Sequence, residues 1–271
     1  MEENILLSNY VIEHYWKKGI YTIDLGKTRF NESTAHFVQD LYNITKKCTI
    51  KKKDKNVYLY DKKQEMCYAL RIFQNGHLYA LKQYNEVPIL EIDGLRMHLI
   101  KEWKTPFHYA KAIIKALHIR KGDINILDCC AGLGYVSIEL SKYGNVISVE
   151  KSREVISLAR INPFSKDFFN NKRITIIEGD IFHFIDDLGD FDYIIHDPPR
   201  FSHSPELYSQ AFYDKLKRHM KKGAKLFHYT GYFGRNRRVN IKDIVAKRLY
   251  NAGIKPSHYD NKLKGWIAIN I

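Results

Sequence analysis

From Asn125 onward the chain alternates short apolar runs with amphipathic stretches, and the pattern holds until the last two runs. The spacing predicts strands at 124–128, 145–149, 173–177, 191–196, 224–229 and 254–259, joined by helices at 134–142, 152–161, 181–188, 205–220 and 241–252. A final strand at 264–270 follows with no helix before it, so the last two strands must form an antiparallel hairpin at one edge. Short apolar strands joined by amphipathic helices require a parallel sheet covered on both faces. One more helix, opening at Pro106 with the apolar stripe Ala110, Ile113, Ile114 and Leu117, precedes the first strand.

That first strand runs into Asp128-Cys129-Cys130-Ala131-Gly132-Leu133-Gly134-Tyr135. Small residues between a strand and a helix let backbone N–H groups approach a ligand closely, and the helix dipole favours an anionic group there. The second strand ends on Glu150, about 20 residues past the turn, where nucleoside-binding sheets keep an acid for ribose hydroxyls. Gly179-Asp180 and Asp197-Pro198-Pro199 close the next two strands, and open α/β sheets bind ligands at these carboxyl ends. Each residue also has a packing role open to it: glycines serve close packing, and Glu150 or Asp180 can cap a helix.

Lys and Arg number 44 against 30 Asp and Glu, a net charge of +14, as expected of a protein that meets RNA or another polyanion. The four cysteines, Cys48, Cys67, Cys129 and Cys130, form no metal-binding spacing and imply neither zinc nor a disulfide framework, so no metal is expected and a reducing, cytoplasmic setting is. No secretory leader and no run of eighteen apolar residues occurs, so no membrane span is expected.

Residues 1–100 read as a smaller mixed, β-rich module that offers itself for substrate or RNA binding, and residues 101–271 as the ligand-binding domain. Helical spacing runs through Ser33–Tyr42. Six lysines, at 46, 47, 51, 52, 53 and 55, make either a solvated turn or a phosphate-facing patch. Met66–Phe73 and His77–Lys82 flank Asn75-Gly76 as a β-hairpin, and a strand runs from Pro88 to Ile92 before Asp93-Gly94.

With these motifs at successive strand ends, residues from about 105 to 271 resemble the class I S-adenosylmethionine-dependent methyltransferases. They are most similar to an archaeal branch with a Leu-Asp-x-Cys-x-Gly-Leu-Gly-Tyr turn and an Asp-Pro-Pro-Arg-Phe motif. The resemblance implies a seven-stranded Rossmann-like sheet and S-adenosylmethionine as cofactor. By position it implies that Ala131, Gly132 and Gly134 cradle the methionine part and that Asp128 holds its amino group. Glu150 would take the ribose hydroxyls, and Asp180 the adenine amine, with Ile181 or Phe182 against the ring. Cys130 stands where the family pattern most often has its first glycine; the thiol is small, and Cys129 and Cys130 read as packing residues rather than nucleophiles.

In members acting on amines, an Asp or Asn before Pro-Pro and an aromatic aims the nitrogen at the methyl group, which implies Asp197, Pro198, Pro199 and Arg200 as the catalytic loop. Here Arg200 occupies the aromatic's place, and Phe201, Tyr229 and Tyr232 are the substitutes. Arg235, Arg237 and Arg238, in a loop with aromatics, suit phosphates and unpaired bases. The expected function is N-methylation of a base in RNA, tRNA or rRNA. Alternatives are an aminopropyltransferase-like polyamine enzyme, which a polycationic chain suits poorly, a protein methyltransferase, or a non-catalytic RNA-binding module.

Overall fold

The structure, a computed structural model of the chain, describes residues 4–28, 30–31, 44, 46–99, 101–231 and 240–271. It divides into two compact units, one of residues 1–100, 104–106 and 154–166, the other of 101–103, 107–153 and 167–271. No helix among the described residues is long and apolar enough to cross a membrane.

In the first unit lie β1 (Asn4–Ser8), α1 (Asn9–His14), β2 (Ile20–Tyr21), β3 (Phe30–Asn31), β4 (Val57–Asp61), β5 (Met66–Ala69), β6 (Arg71–Gln74), β7 (His77–Lys82), β8 (Ile89–Ile92) and β9 (Leu95–Arg96). They form antiparallel sheets in the orders β1-β4-β5, β2-β3 and β6-β7-β8-β9. The Asn75-Gly76 hairpin is present, with both turn residues at positive φ (52° and 80°), the geometry that matches the twist of the flanking strands. Asp93-Gly94 turns the same way, at 51° and 75°.

Two expectations need correction here. Met66–Phe73 is not one strand: it breaks at buried Leu70, with β5 pairing back to β4 and β6 forward to β7. Cys48 and Cys67 are joined in a disulfide with a Cα–Cα distance of 5.2 Å across 19 residues of sequence, against the expectation that the cysteines form no bridge. The bond sits in the cluster of Ile5, Leu7, Ile44 and Tyr60. All six lysines of the run are exposed, Lys47 pairing with Glu65 at 2.5 Å and Lys55 standing 5.3 Å from the Tyr84 ring. The helical spacing at 33–42 lies outside the described residues.

Closing a loop of this length removes unfolded-chain entropy worth about 3 kcal/mol. Reduction is therefore expected to lower the melting of the first unit by on the order of 10 °C. Calorimetry with and without reductant checks this, and an unchanged profile counts against it.

Onward from the boundary run α2 (Pro106–Leu117), β10 (Asn125–Asp128), α3 (Tyr135–Leu140), β11 (Asn145–Glu150), α4 (Arg153–Ile161), α5 (Lys166–Asn170), β12 (Ile174–Glu178), α6 (Ile181–Phe184), β13 (Phe191–His196), α7 (Gln210–Arg218), β14 (Met220–Tyr229), α8 (Ile241–Asn251), β15 (Ile254–Asp260) and β16 (Gly265–Asn270). The seven strands order as β12-β11-β10-β13-β14-β16-β15, parallel except that β16 runs antiparallel between β14 and β15. This is the expected α/β sheet with its terminal hairpin. Chain order reverses between β10 and β13, which places a crevice at their carboxyl ends.

Along β12, Ile174 and Ile176 face one apolar cluster and Ile177 the other, the period-2 signature of a sheet covered on both faces. The helix expected over 205–220 is shorter. Pro205–Tyr208 is a 3₁₀ turn, Ser209 caps α7 by accepting from the Phe212 amide at 3.1 Å, and the chain is extended from Met220. Likewise 181–188 is one helical turn followed by a 3₁₀ turn at Ile185–Asp187.

Candidate active site at the sheet switch point

Three strand ends converge on the crevice. Asp128, last in β10, is buried, and one carboxylate oxygen accepts from the Ser137 hydroxyl at 2.5 Å, while Ser137 in turn meets Ser148 at 2.6 Å. The other oxygen is buried with no hydrogen-bond partner among the described residues. Burial pushes the Asp128 pKa up to about 6, with Glu150 adding to the rise and the Ser137 hydroxyl and Cys130 amide opposing it. An orphaned buried carboxylate oxygen beside a glycine turn calls for a donor from a ligand.

Glu150, closing β11, fastens the turn: one oxygen accepts from the Gly132 amide at 2.8 Å, the other from the Ser152 amide at 2.9 Å. Burial raises its pKa and these amides oppose the rise. The Lys151 amide opposes the rise as well, so of a carboxylate's about four lone-pair sites about one remains for a hydroxyl. Gly132 has φ +55°, and a Cβ there would meet nothing within 4 Å. At Gly134, φ +80°, a Cβ would lie 2.3 Å from Phe168, so packing alone demands that glycine. Ala131 is buried and donates its amide to the Val149 carbonyl at 2.9 Å. Asp180 caps α6 through the Phe182 amide at 3.0 Å and pairs with Lys151 at 2.8 Å, while Ile181 packs into the core. The free thiols Cys129 and Cys130 have pKa values raised first by burial, then by Asp128 for Cys129 and by Cys129 and the nearby carboxylates for Cys130, which keeps them protonated.

Asp197 follows β13. Burial pushes its pKa up to about 7; nearby Tyr109 holds it down and Asp128 adds to the rise. The Tyr109 hydroxyl, on α2, stands close enough to lower that value yet makes no hydrogen bond of ordinary geometry and is itself buried. Sequence reasoning missed Tyr109, which stands beside the apolar stripe of that helix and belongs to no motif.

On the opposite face of β13 lies a second unforeseen cluster. His196 and His228, paired across β13 and β14, have ring centroids 4.4 Å apart. His228 donates from Nδ1 to the Tyr229 carbonyl at 2.8 Å, so its Nε2 accepts from the Tyr213 hydroxyl at 2.8 Å. His196 donates from Nε2 to the Leu207 carbonyl at 2.9 Å. Burial lowers both pKa values, that of His196 to about 4, so both rings stay neutral. Tyr208 donates to the Pro199 carbonyl at 2.8 Å and packs edge-on against Phe201. The Pro198-Pro199 loop is thus held from beneath by a neutral, hydrogen-bonded core. Arg200 is exposed, Tyr229 is half-buried, and Tyr232, Arg235, Arg237 and Arg238 lie outside the described residues.

Residues 77–244 match the family described as the spermine/spermidine synthase domain. An uncharacterized protein of Methanocaldococcus jannaschii is 42% identical over 170 residues, 61% of this chain and 58% of that relative's length. Among solved structures, a spermidine synthase in complex with the transition state analogue AdoDATO covers 73% of this chain and 71% of its own at 16% identity and a TM-score of 0.58. The spermidine synthase of Thermotoga maritima covers 73% and 70% at 16% identity and a TM-score of 0.55. These structural likenesses speak to the fold alone.

Proposed function

The chain belongs to the spermine/spermidine synthase domain family, and from the residues of its site we propose that it transfers a methyl group from S-adenosylmethionine to an amine nitrogen of a base in RNA. The residues present fit such a nucleoside: the orphaned Asp128 oxygen for its amino group, the open cradle at Gly132 for its methionine part, and the spare Glu150 lone pair for a ribose hydroxyl. When bound, it supplies a methyl group on positively charged sulfur.

The observation that carries the reading is Asp197, a carboxyl whose pKa is pushed up to about 7 beside the Tyr109 hydroxyl. As the nitrogen–carbon bond forms and the sulfur–carbon bond breaks, positive charge passes to nitrogen, and a proton must leave it. Asp197 as carboxylate accepts a hydrogen bond from the amine, aims its lone pair, and takes that proton afterwards. Tyr208 and the neutral histidines hold the loop in place while this happens.

The acid must be ionised to accept. With the pKa near 7, single-turnover transfer is expected to run about tenfold slower at pH 6 than at pH 8. A flat profile across that range would remove Asp197 from the proton's path.

The net charge of +14 supports RNA as the carrier of the base, since it concentrates a polyanion and repels a polycation. The family match favours a second reading, aminopropyl transfer to a polyamine, in which Asp197 would orient an aliphatic amine instead. Mass spectrometry of nucleosides from total RNA of a strain lacking the gene separates the two. One missing methylated nucleoside is expected; unchanged RNA with an altered polyamine pool would favour the second reading.

A further inference from the structure

Charge changes sign along the carboxyl edge of the sheet. Asp128, Glu150 and Glu178 end β10, β11 and β12, and Asp180 follows, with Arg153 paired to Glu178 and Lys151 to Asp180. Beyond Asp197 the edge is basic. Arg200 is exposed on the loop after β13, and the turn between β15 and β16 carries exposed Lys262 and half-buried Lys264. The acids nearest them in sequence are engaged elsewhere. Asp260 accepts from the Lys262 and Leu263 amides at 2.8 and 2.9 Å, and Glu206 stands within electrostatic reach of Lys151.

Register puts that turn beside the crevice. β16 runs antiparallel, so Gly265 at its start pairs with Tyr229 at the end of β14, just as His228 pairs with His196. Neighbouring strands lie about 4.8 Å apart, so the turn stands roughly 10–14 Å along the edge from the Asp197 loop. The turn is anchored: Leu263 is buried, and the Lys264 carbonyl accepts from the Thr230 amide at 2.9 Å and the Thr230 hydroxyl at 3.1 Å. A cationic methyl donor suits the acidic half, whereas the basic half attracts a polyanion and repels a polyamine. A base that reaches Asp197 must be unstacked from its neighbours, and the nucleotides on either side of it then need a place on the protein surface.

We propose that single-stranded RNA crosses the basic half of this edge, with phosphates flanking the acceptor base held by Lys262 and Lys264 and by Arg200 on the loop that carries Asp197. This rests on the proposed function and gives its RNA a docking surface. Lysine meets phosphate as a point charge whatever the base, so these contacts act on affinity and not on the chemical step.

The test compares two double variants that remove the same charge. One is Lys262→Gln with Lys264→Gln; the other is Lys222→Gln with Lys255→Gln, exposed near the starts of β14 and β15 at the opposite edge of the sheet. Binding of fluorescently labelled poly(U) is titrated against salt, and single-turnover methyl transfer is followed with S-adenosylmethionine and total RNA from a strain lacking the gene. The first pair should bind poly(U) about tenfold more weakly and flatten the salt slope by about 1.4. It should need more RNA for half-maximal transfer, with the saturating rate and S-adenosylmethionine affinity as in the parent. The second pair should match the parent throughout. Equal effects of the two pairs, or none from the first, overturn the inference, and methyl transfer to RNA by the parent then leaves the proposed function standing. A parent that binds no poly(U) and methylates no RNA overturns both. Glutamine keeps every backbone bond of the turn; if the first pair nonetheless fails to fold, Lys262→Gln alone decides, with a slope change of about 0.7 expected and an unchanged slope overturning the inference.

Discussion

Asp197→Ala is expected to bind S-adenosylmethionine as tightly as the parent and to transfer methyl on the order of a hundredfold more slowly, or worse. The side chain faces Tyr109, whereas the groups that fit the nucleoside sit on β10, the glycine turn and β11. Removing it takes away the contact that aims the amine while leaving cofactor contacts in place. The variant should also fold well. The carboxyl's pKa in the fold, about 7, exceeds its ordinary 3.8, so its contribution to stability is fully present below about 4 and is lost as pH rises through 7. At pH 8 the buried charge opposes folding, and alanine relieves it. Rapid-quench kinetics and calorimetry on one preparation decide. Transfer at the parent rate would mean that the acceptor is held from elsewhere, with Tyr229 the nearest substitute on β14.

Gly132→Val is expected to abolish measurable S-adenosylmethionine binding while keeping a native circular dichroism spectrum. A Cβ there enters space beside Glu150 with none of the described residues within 4 Å, so what the side chain displaces is the ligand. Holding valine at φ +55° costs about 1–3 kcal/mol, enough to lower the melting point without preventing folding. Gly134→Val is the contrasting case, because its Cβ would collide with the Phe168 ring and should disrupt the fold itself. Calorimetric titration of a folded Gly132→Val that still binds with parent affinity would remove the cofactor assignment from this turn.

Why one glycine reads as cradle and the other as packing could not be seen in the sequence, where both are simply glycines between a strand and a helix. The sheet itself was legible because its signals are local: apolar runs of strand length, a small-residue turn, and acids or Pro-Pro at strand ends. The hairpin at Asn75-Gly76 was legible for the same reason. What escaped depends on partners distant in sequence. Cys48 and Cys67 have a spacing that matches no motif, and only the fold brings them together. Leu70 looks like one more apolar residue in a strand until its burial between two differently paired strands shows the break. Tyr109 sits on the buried side of α2, and nothing in its neighbours' sequence tells that its hydroxyl meets Asp197. His196 ends β13 and His228 stands one residue before the end of β14, 32 residues on in sequence, and their pairing follows only from the register of the two strands.

The most direct measurement offers the purified protein each donor and each acceptor in turn: S-adenosylmethionine or its decarboxylated form, total RNA or spermidine, at pH 8, with products identified by mass spectrometry. A methylated nucleoside formed only from S-adenosylmethionine and RNA, and absent with Asp197→Ala, is the predicted result. An aminopropylated polyamine formed from the decarboxylated donor, with RNA left untouched, would contradict it.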